Sequence, residues 1–279
     1  MKLELSVVKC LVITCIWYII YQVAAVIFYV TIEFIFNLSF NANLYNLLGL
    51  LFAYLFILVY IKKWQKINLI PKNRLAVSSI MKLFIILLFI SILIKIVKNP
   101  FLHIPTIVSF LKIDPGVNKL IFKMNSENYF SFKGFNLIIE ILQVVFLSSI
   151  GSELVFRRYF FTGLINKYNL KVALLFSSLF YSLIHFSFDN LFVLISYFIT
   201  GLLAAYIFYS TSNILFPILF HMLLNVIYIF RNIFIHDYHR LIAYHKFGVH
   251  YWIVVIISAI LLIYLLFLLN RLRLKPFNL

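Results

Sequence analysis

A chain of 279 residues in which 65% are hydrophobic and 11% charged has too much apolar surface for an ordinary soluble domain. Eight membrane spans of ~20 residues would occupy roughly 160 positions, so most of the chain can be membrane, and a polytopic helical protein is expected. The 24 Lys and Arg against 8 Asp and Glu, a formal net charge of +16, read as orientation charge and headgroup contact. No Lys/Arg-rich block with interleaved aromatics points to nucleic acid, so none is expected as a partner.

Apolar runs broken by charge or turn residues predict spans at residues 9–30, 44–61, 79–97, 135–157, 172–188, 191–209, 213–230 and 250–270. The fold class is all-α, a polytopic transmembrane bundle of about eight helices. Lys2 and Lys9 precede a first span without a small-x-small cleavage site, which reads as uncleaved. Cys10 and Cys15 within it point ~140° apart on a helix, out of disulfide reach, and read as packing or lipid-facing thiols. Lys82 and Lys95 lie near the ends of the third span and reach headgroups by snorkelling. The stretches 98–134 and 231–249 read as external loops, and His236, His239, His245 and His250 as a solvated segment in or beside the second. This divides the chain into residues 1–134 (N-terminal helices and loop), 135–230 (a core with the polar motifs) and 231–279 (loop, last helix and basic tail).

Lys and Arg set the orientation. With the N-terminus inside, fourteen fall on the cytoplasmic side, among them Lys62, Lys63, Arg157, Arg158, Lys167, Lys171 and Arg271, against eight on the other. An even span count then puts both termini in the cytoplasm.

A polar side chain at membrane depth is costly unless paired or wetted, and so is a candidate site. Glu140, Glu153, Arg157, His185, His221 and Asn225 qualify. Glu153 with Arg157, and His221 with Asn225, are i, i+4 pairs that share a helix face. The first is equally readable as a neutralised ion pair, the second as interhelical hydrogen-bonding glue. Depth favours a site: at ~1.5 Å per residue, Glu153 sits ~6 Å above Arg157, His185 ~16 Å above the start of its span and His221 ~12 Å above its own. Two imidazoles, a carboxylate and an amide in one layer can activate water or hold a metal. They are expected to converge on one cavity open toward the cytoplasmic half, with the imidazoles within about 12 Å of each other. Glu140, about 20 Å along the helix from Glu153 and ~140° around it, is expected to lie outside this site.

These residues resemble a known family. Ser152-Glu153-Leu154-Val155-Phe156-Arg157-Arg158 resembles the E-E-x-x-x-R motif of the CPBP family, the CAAX proteases and bacteriocin-processing (Abi) proteins. Tyr181-Ser182-Leu183-Ile184-His185 is similar to its aromatic-x-x-x-His motif, and His221-Met222-Leu223-Leu224-Asn225 to its His-x-x-x-Asn motif. The three fall in family order within residues 137–230. The resemblance implies an α-helical intramembrane peptidase. His185 with Glu153 would activate water, Arg157 would position Glu153, and His221 with Asn225 would bind the oxyanion or a metal, zinc, for which His185 and His221 are the candidate ligands.

The chain departs from the pattern at Ser152, where the family has its first Glu and where a hydroxyl cannot act as base at neutral pH. Without that Glu the donors are a poor set, and weak or absent metal binding is expected. The leading expectation is a peptidase of a bacterial cytoplasmic membrane, with membrane lipid and a peptide or lipidated peptide as partners. The alternative is a catalytically silent member that binds a peptide or membrane partner, as a bacteriocin immunity protein does. A transporter ranks below both, because paired Gly/Pro-interrupted spans in two halves are missing.

Overall fold

The protein is described from a computed structural model covering residues 3–35, 42–65, 77–102, 135–185, 192–233 and 249–271, and no strand occurs among them. Among these residues eight helices follow one another: α1 (Val7–Val30, prolonged by the π-helical turn Thr31–Ile35), α2 (Ala42–Gln65), α3 (Val77–Leu102), α4 (residues 135–167), α5 (Leu170–Leu183), α6 (Phe192–Thr211), α7 (Leu215–Ile233) and α8 (Val249–Arg271). Six are long and apolar enough to cross a membrane, and α5 and α7 are shorter apolar helices. This multi-pass architecture is the one the hydropathy predicts. Polar caps set the starts: Ser6 Oγ accepts from Lys9 N, Asn169 Oδ1 from Val172 N and Asn213 Oδ1 from Leu215 N, each satisfying an amide the helix leaves open.

The main departure from the expected spans is α4, which continues to Lys167 instead of stopping at 157. Its charges do not end it because Arg157 and Arg158 are buried and Arg157 is neutralised within the bundle. Two π-helical stretches, Ile141–Ser148 and Leu154–Phe161, flank the regular turn Ser149–Glu153. A π turn takes in an extra residue and rotates the rest of the helix about its axis, a feature frequent at functional sites. It also leaves carbonyls for side chains: Thr162 Oγ1 donates to Arg157 O at 3.3 Å.

Packing forms two cores that share α6. In the first, Trp17 of α1, Tyr54 of α2, Tyr159, Phe160 and Phe161 of α4, Phe180 of α5 and Phe208 of α6 interlock. In the second, Leu87 and Ile90 of α3, Ile207 of α6, Phe220 of α7 and Leu262 of α8 meet. In lipid, burial of apolar surface gives little drive, so close approach at small residues matters. A Cβ at Gly49 would stand 2.8 Å from the Ala25 nitrogen of α1, and one at Gly201 would stand 3.1 Å from Ser178 and from the Tyr181 ring of α5. The chain start is anchored too: Leu5 N donates to Gly163 O at 3.0 Å and Asn166 Nδ2 to Leu3 O at 2.8 Å. Residues of the segment 1–134 thus share a core with α4 and α5. Of the two cysteines, Cys10 is buried and Cys15 exposed.

Candidate active site

The regular turn of α4 presents Glu153, fully buried. Its Oε2 lies 3.0 Å from Arg157 Nε, the i, i+4 pair read from the sequence. Arg157, also fully buried, reaches on to α6, where Nη2 donates to Gly201 O at 3.1 Å. Its guanidinium lies over the Tyr181 ring at 4.6 Å, a cation–π contact that desolvation strengthens. The absence of a side chain at Gly201 lets α6 come near enough to accept this bond.

The second carboxylate oxygen of Glu153 holds His221. Oε1 stands 3.0 Å from His221 Nδ1, and since a carboxylate only accepts, Nδ1 carries the proton and donates. Ser152 Oγ lies 3.2 Å from the same nitrogen. With Nδ1 protonated, Nε2 keeps a lone pair, and Tyr181 Oη is 3.3 Å from it. The expected partnership of Glu153 with His185 is not the one formed: Glu153 bonds His221.

His185 is held differently. Its ring stacks on Tyr197 of α6 with centroids 3.9 Å apart and planes 8° from parallel. The Tyr181 ring stands edge-on to it at 5.2 Å, and to His221 at 5.7 Å. The two imidazoles are therefore at most 10.9 Å apart. His185 Nε2 is buried without a hydrogen-bond partner among the described residues. Asn225 spends its amide inside the chain: Nδ2 donates to Val144 O at 2.7 Å and to Ser149 Oγ at 3.0 Å, tying α7 to the π-helical part of α4.

A cavity of about 990 Å³ opens beside these groups, lined by Tyr181, His185, Tyr197, His221 and Asn225. Ser152, Glu153 and Arg157 are absent from its wall and stand behind His221. Of its other lining residues, Lys95 and Lys98 near the end of α3, Glu140 near the start of α4, Tyr228 near the end of α7 and His250 at the start of α8 lie toward the helix ends remote from the termini, whereas Trp17, Tyr54 and Ser148 lie mid-helix. One expectation changes. Glu140, expected outside the site, lines this cavity, and His250, read as in or beside the loop, is the second residue of α8 and lines it too. His236, His239 and His245 lie outside the described residues.

Tyr197, Lys98 and the carbonyl of Gly201 are site components that sequence reasoning missed. None has a one-helix signature, since each matters through a partner on another helix. The donor set does not make a metal site. Both oxygens of Glu153 and Nδ1 of His221 are committed to one another and to Arg157, and no three His, Cys, Asp or Glu of the described residues gather about one point. A cation would also face the Arg157 guanidinium close behind.

Similarity to known proteins falls on these same residues. The segment 134–227, from α4 to α7, carries Glu153, Arg157, His185, His221 and Asn225, and it matches a family model described as Rce1-like, type II CAAX prenyl endopeptidase Rce1-like. No curated protein and no solved structure matches the chain. The matched segment holds all three motifs in order, and at a coarse level the family is one of proteases. Over residues 134–227, about a third of its length, this chain is thus similar to the Rce1-like family of type II CAAX prenyl endopeptidases.

Proposed function

We propose that the protein is an intramembrane peptidase of CAAX type that hydrolyses a peptide or lipidated-peptide bond inside the 990 Å³ cavity. The observation that carries this reading is the orientation of His221, whose Nδ1 is fixed on Glu153 so that Nε2 is left as an acceptor beside the cavity. His221 Nε2 takes a proton from water, and the hydroxide attacks the scissile carbonyl carbon. Glu153 stabilises the imidazolium, as a carboxylate behind a catalytic imidazole does, and Arg157 is a positioning residue that holds Glu153. The Tyr181 hydroxyl and the His185 ring N–H donate to the oxyanion. His221 then returns the proton to the leaving nitrogen as the C–N bond breaks. A base of this kind contributes roughly 10²–10⁴-fold, and an oxyanion donor about 10²–10³-fold.

Asn225, with its amide nitrogen engaged twice, acts here through the shape of α4. No step passes through a metal, since the residues do not fit one. Lys62, Lys63, Lys167, Lys171 and Arg271 stand at helix ends on the side of the termini, which supports cytoplasmic termini in a bacterial cytoplasmic membrane. The test is cleavage of an internally quenched apolar peptide, with and without an S-prenylated cysteine, by purified protein in liposomes. Cleavage of either that His221→Ala abolishes is the expected result; a wild type that cleaves neither overturns the reading.

A second reading has its own observation. Ser152 occupies the family's first Glu position, and Glu153 is turned from the cavity wall. Both suit a member that binds a peptide or membrane partner without turnover, as an immunity protein would. Peptide binding without cleavage, together with a protective phenotype, would favour it.

A further inference from the structure

Tyr54 of α2 lines the cavity, and the mechanism above makes no use of it. Trp17 of α1 packs on its ring with centroids 5.3 Å apart. Helix α4 comes so near that a Cβ at Gly151 would stand 2.5 Å from the same ring. A side chain at 151 would hold the tyrosine off; the glycine lets it reach the next residue of α4, where Ser152 Oγ hydrogen-bonds the Tyr54 hydroxyl. Both α1 and α2 precede the segment 134–227 that matches the family model, so Tyr54 is brought to the motif residues from outside it.

Counting protons fixes the direction of these bonds. His221 Nδ1–H is given to Glu153 Oε1 and stands 3.2 Å from Ser152 Oγ, so toward the imidazole Ser152 only accepts. A serine hydroxyl has one proton, and that of Ser152 is then left for Tyr54 Oη. Tyr54 has one proton as well, and its hydroxyl has no second partner among the described residues, so this proton is left for whatever occupies the cavity. Ser152 and Glu153 stand behind His221, off the wall; Tyr54 carries their network back to it. Hydrogen bonds in such a chain polarise one another. A positive charge on the imidazole strengthens Nδ1–H toward Ser152, Ser152 toward Tyr54 and Tyr54 toward its ligand, with each proton staying on its own atom. The donor is strongest when the imidazole is charged, which in the proposed reaction is when the carbonyl oxygen becomes negative.

We infer that Tyr54 is a further catalytic residue, supplied by α2, whose hydroxyl donates to the carbonyl oxygen under attack, with Ser152 as the positioning residue that couples this donor to His221. The assignment rests on the peptidase reading. It gives Ser152 a use that a carboxylate at the same position could not serve, since an ionised carboxylate has no proton to pass to Tyr54.

The test uses full-length protein in phosphatidylcholine liposomes and two readouts. One is cleavage of the quenched peptide. The other is binding, followed by fluorescence, of a dansyl-labelled apolar peptide aldehyde, whose hydrate imitates the tetrahedral centre, against the matching alcohol, which has no such centre. Tyr54→Phe keeps the ring and removes the proton. It is expected to lower kcat by about tenfold or more with KM within about twofold, and to reduce the preference for aldehyde over alcohol by a similar factor, at an unchanged Tm. Ser152→Ala should cost about threefold alone and nothing further once Tyr54→Phe is present, because the two act as one chain. Undiminished kcat in Tyr54→Phe, an undiminished aldehyde preference, or a raised KM at constant kcat overturns the assignment, and additive losses overturn the coupling through Ser152. A wild type that never cleaves yet prefers the aldehyde in a Tyr54-dependent way removes the peptidase and keeps the donor; one that neither cleaves nor prefers the aldehyde removes both.

Discussion

Behind the α4–α7 wall of the cavity Glu153 closes on Arg157 and His221 within the chain, whereas on the α3–α6 wall Lys98 meets a single threonine hydroxyl. Both walls bury charge in a bundle that a membrane surrounds. The difference teaches what each is built to do. A closed network holds one imidazole in one tautomer and needs nothing from outside, which suits a catalytic group that must be ready before substrate arrives. An incomplete one lowers its free energy when a ligand brings the missing charge, which suits recognition.

The experiments that break this comparison start on the closed side. His221→Ala removes the base and Glu153→Gln removes the charge behind it; each is expected to lower kcat by about 10²–10⁴-fold with KM little changed, in steady-state kinetics on the quenched peptide. Unchanged turnover in Glu153→Gln would take the carboxylate out of the mechanism. Next, Arg157→Met leaves Glu153 buried beside one histidine. Removal of one partner from a buried pair costs about 3–5 kcal/mol, so the Tm of the detergent-solubilised variant should fall clearly below that of the wild type. An unshifted Tm would show that the Gly201 and Tyr181 contacts of Arg157 carry no stability.

Smaller effects sharpen the contrast. Ser152→Glu sets a second carboxylate beside His221 Nδ1, where Glu153 already stands, and like charges at such range oppose each other. A shift of one pKa unit corresponds to about tenfold, so a loss of about tenfold in kcat is expected. A tenfold gain would show instead that the family's first Glu position is vacant in a functional sense, and would favour the silent reading of the wild type. The smallest effect concerns zinc. With the Glu153 oxygens and His221 Nδ1 committed, protein dialysed against chelator should retain well below one equivalent by elemental analysis, and stoichiometric retention would require the network to reopen around the ion.

Much of this molecule is legible in one dimension. Apolar runs mark the spans, since ~20 residues of helix match the hydrocarbon thickness, and i, i+4 spacing puts Glu153 beside Arg157 because 3.6 residues complete a turn. Those are properties of a single helix. The reading fails where a second helix takes part or where the period breaks. The expected end of α4 at 157 assumed that arginines face water, and the Gly201 carbonyl and Tyr181 ring on other helices take that place. A regular helical period puts Glu140 outside the site, yet it lines the same cavity as His185 and His221. Lys98 reads as a loop charge in the sequence, and Thr200 draws it inward.

The sequence by itself determined that the chain is a membrane bundle, which residues put polar groups at membrane depth and which family motifs they resemble, because hydropathy and helical period are local. The tertiary structure alone decided that Glu153 bonds His221 and not His185, that Asn225 is spent on Val144, and that His185 and His221 line one cavity from which Glu153 is absent. Those outcomes depend on helix rotation, close approach at Gly201 and the extra residues of the π turns, and no spacing within one helix encodes the face that its neighbour presents.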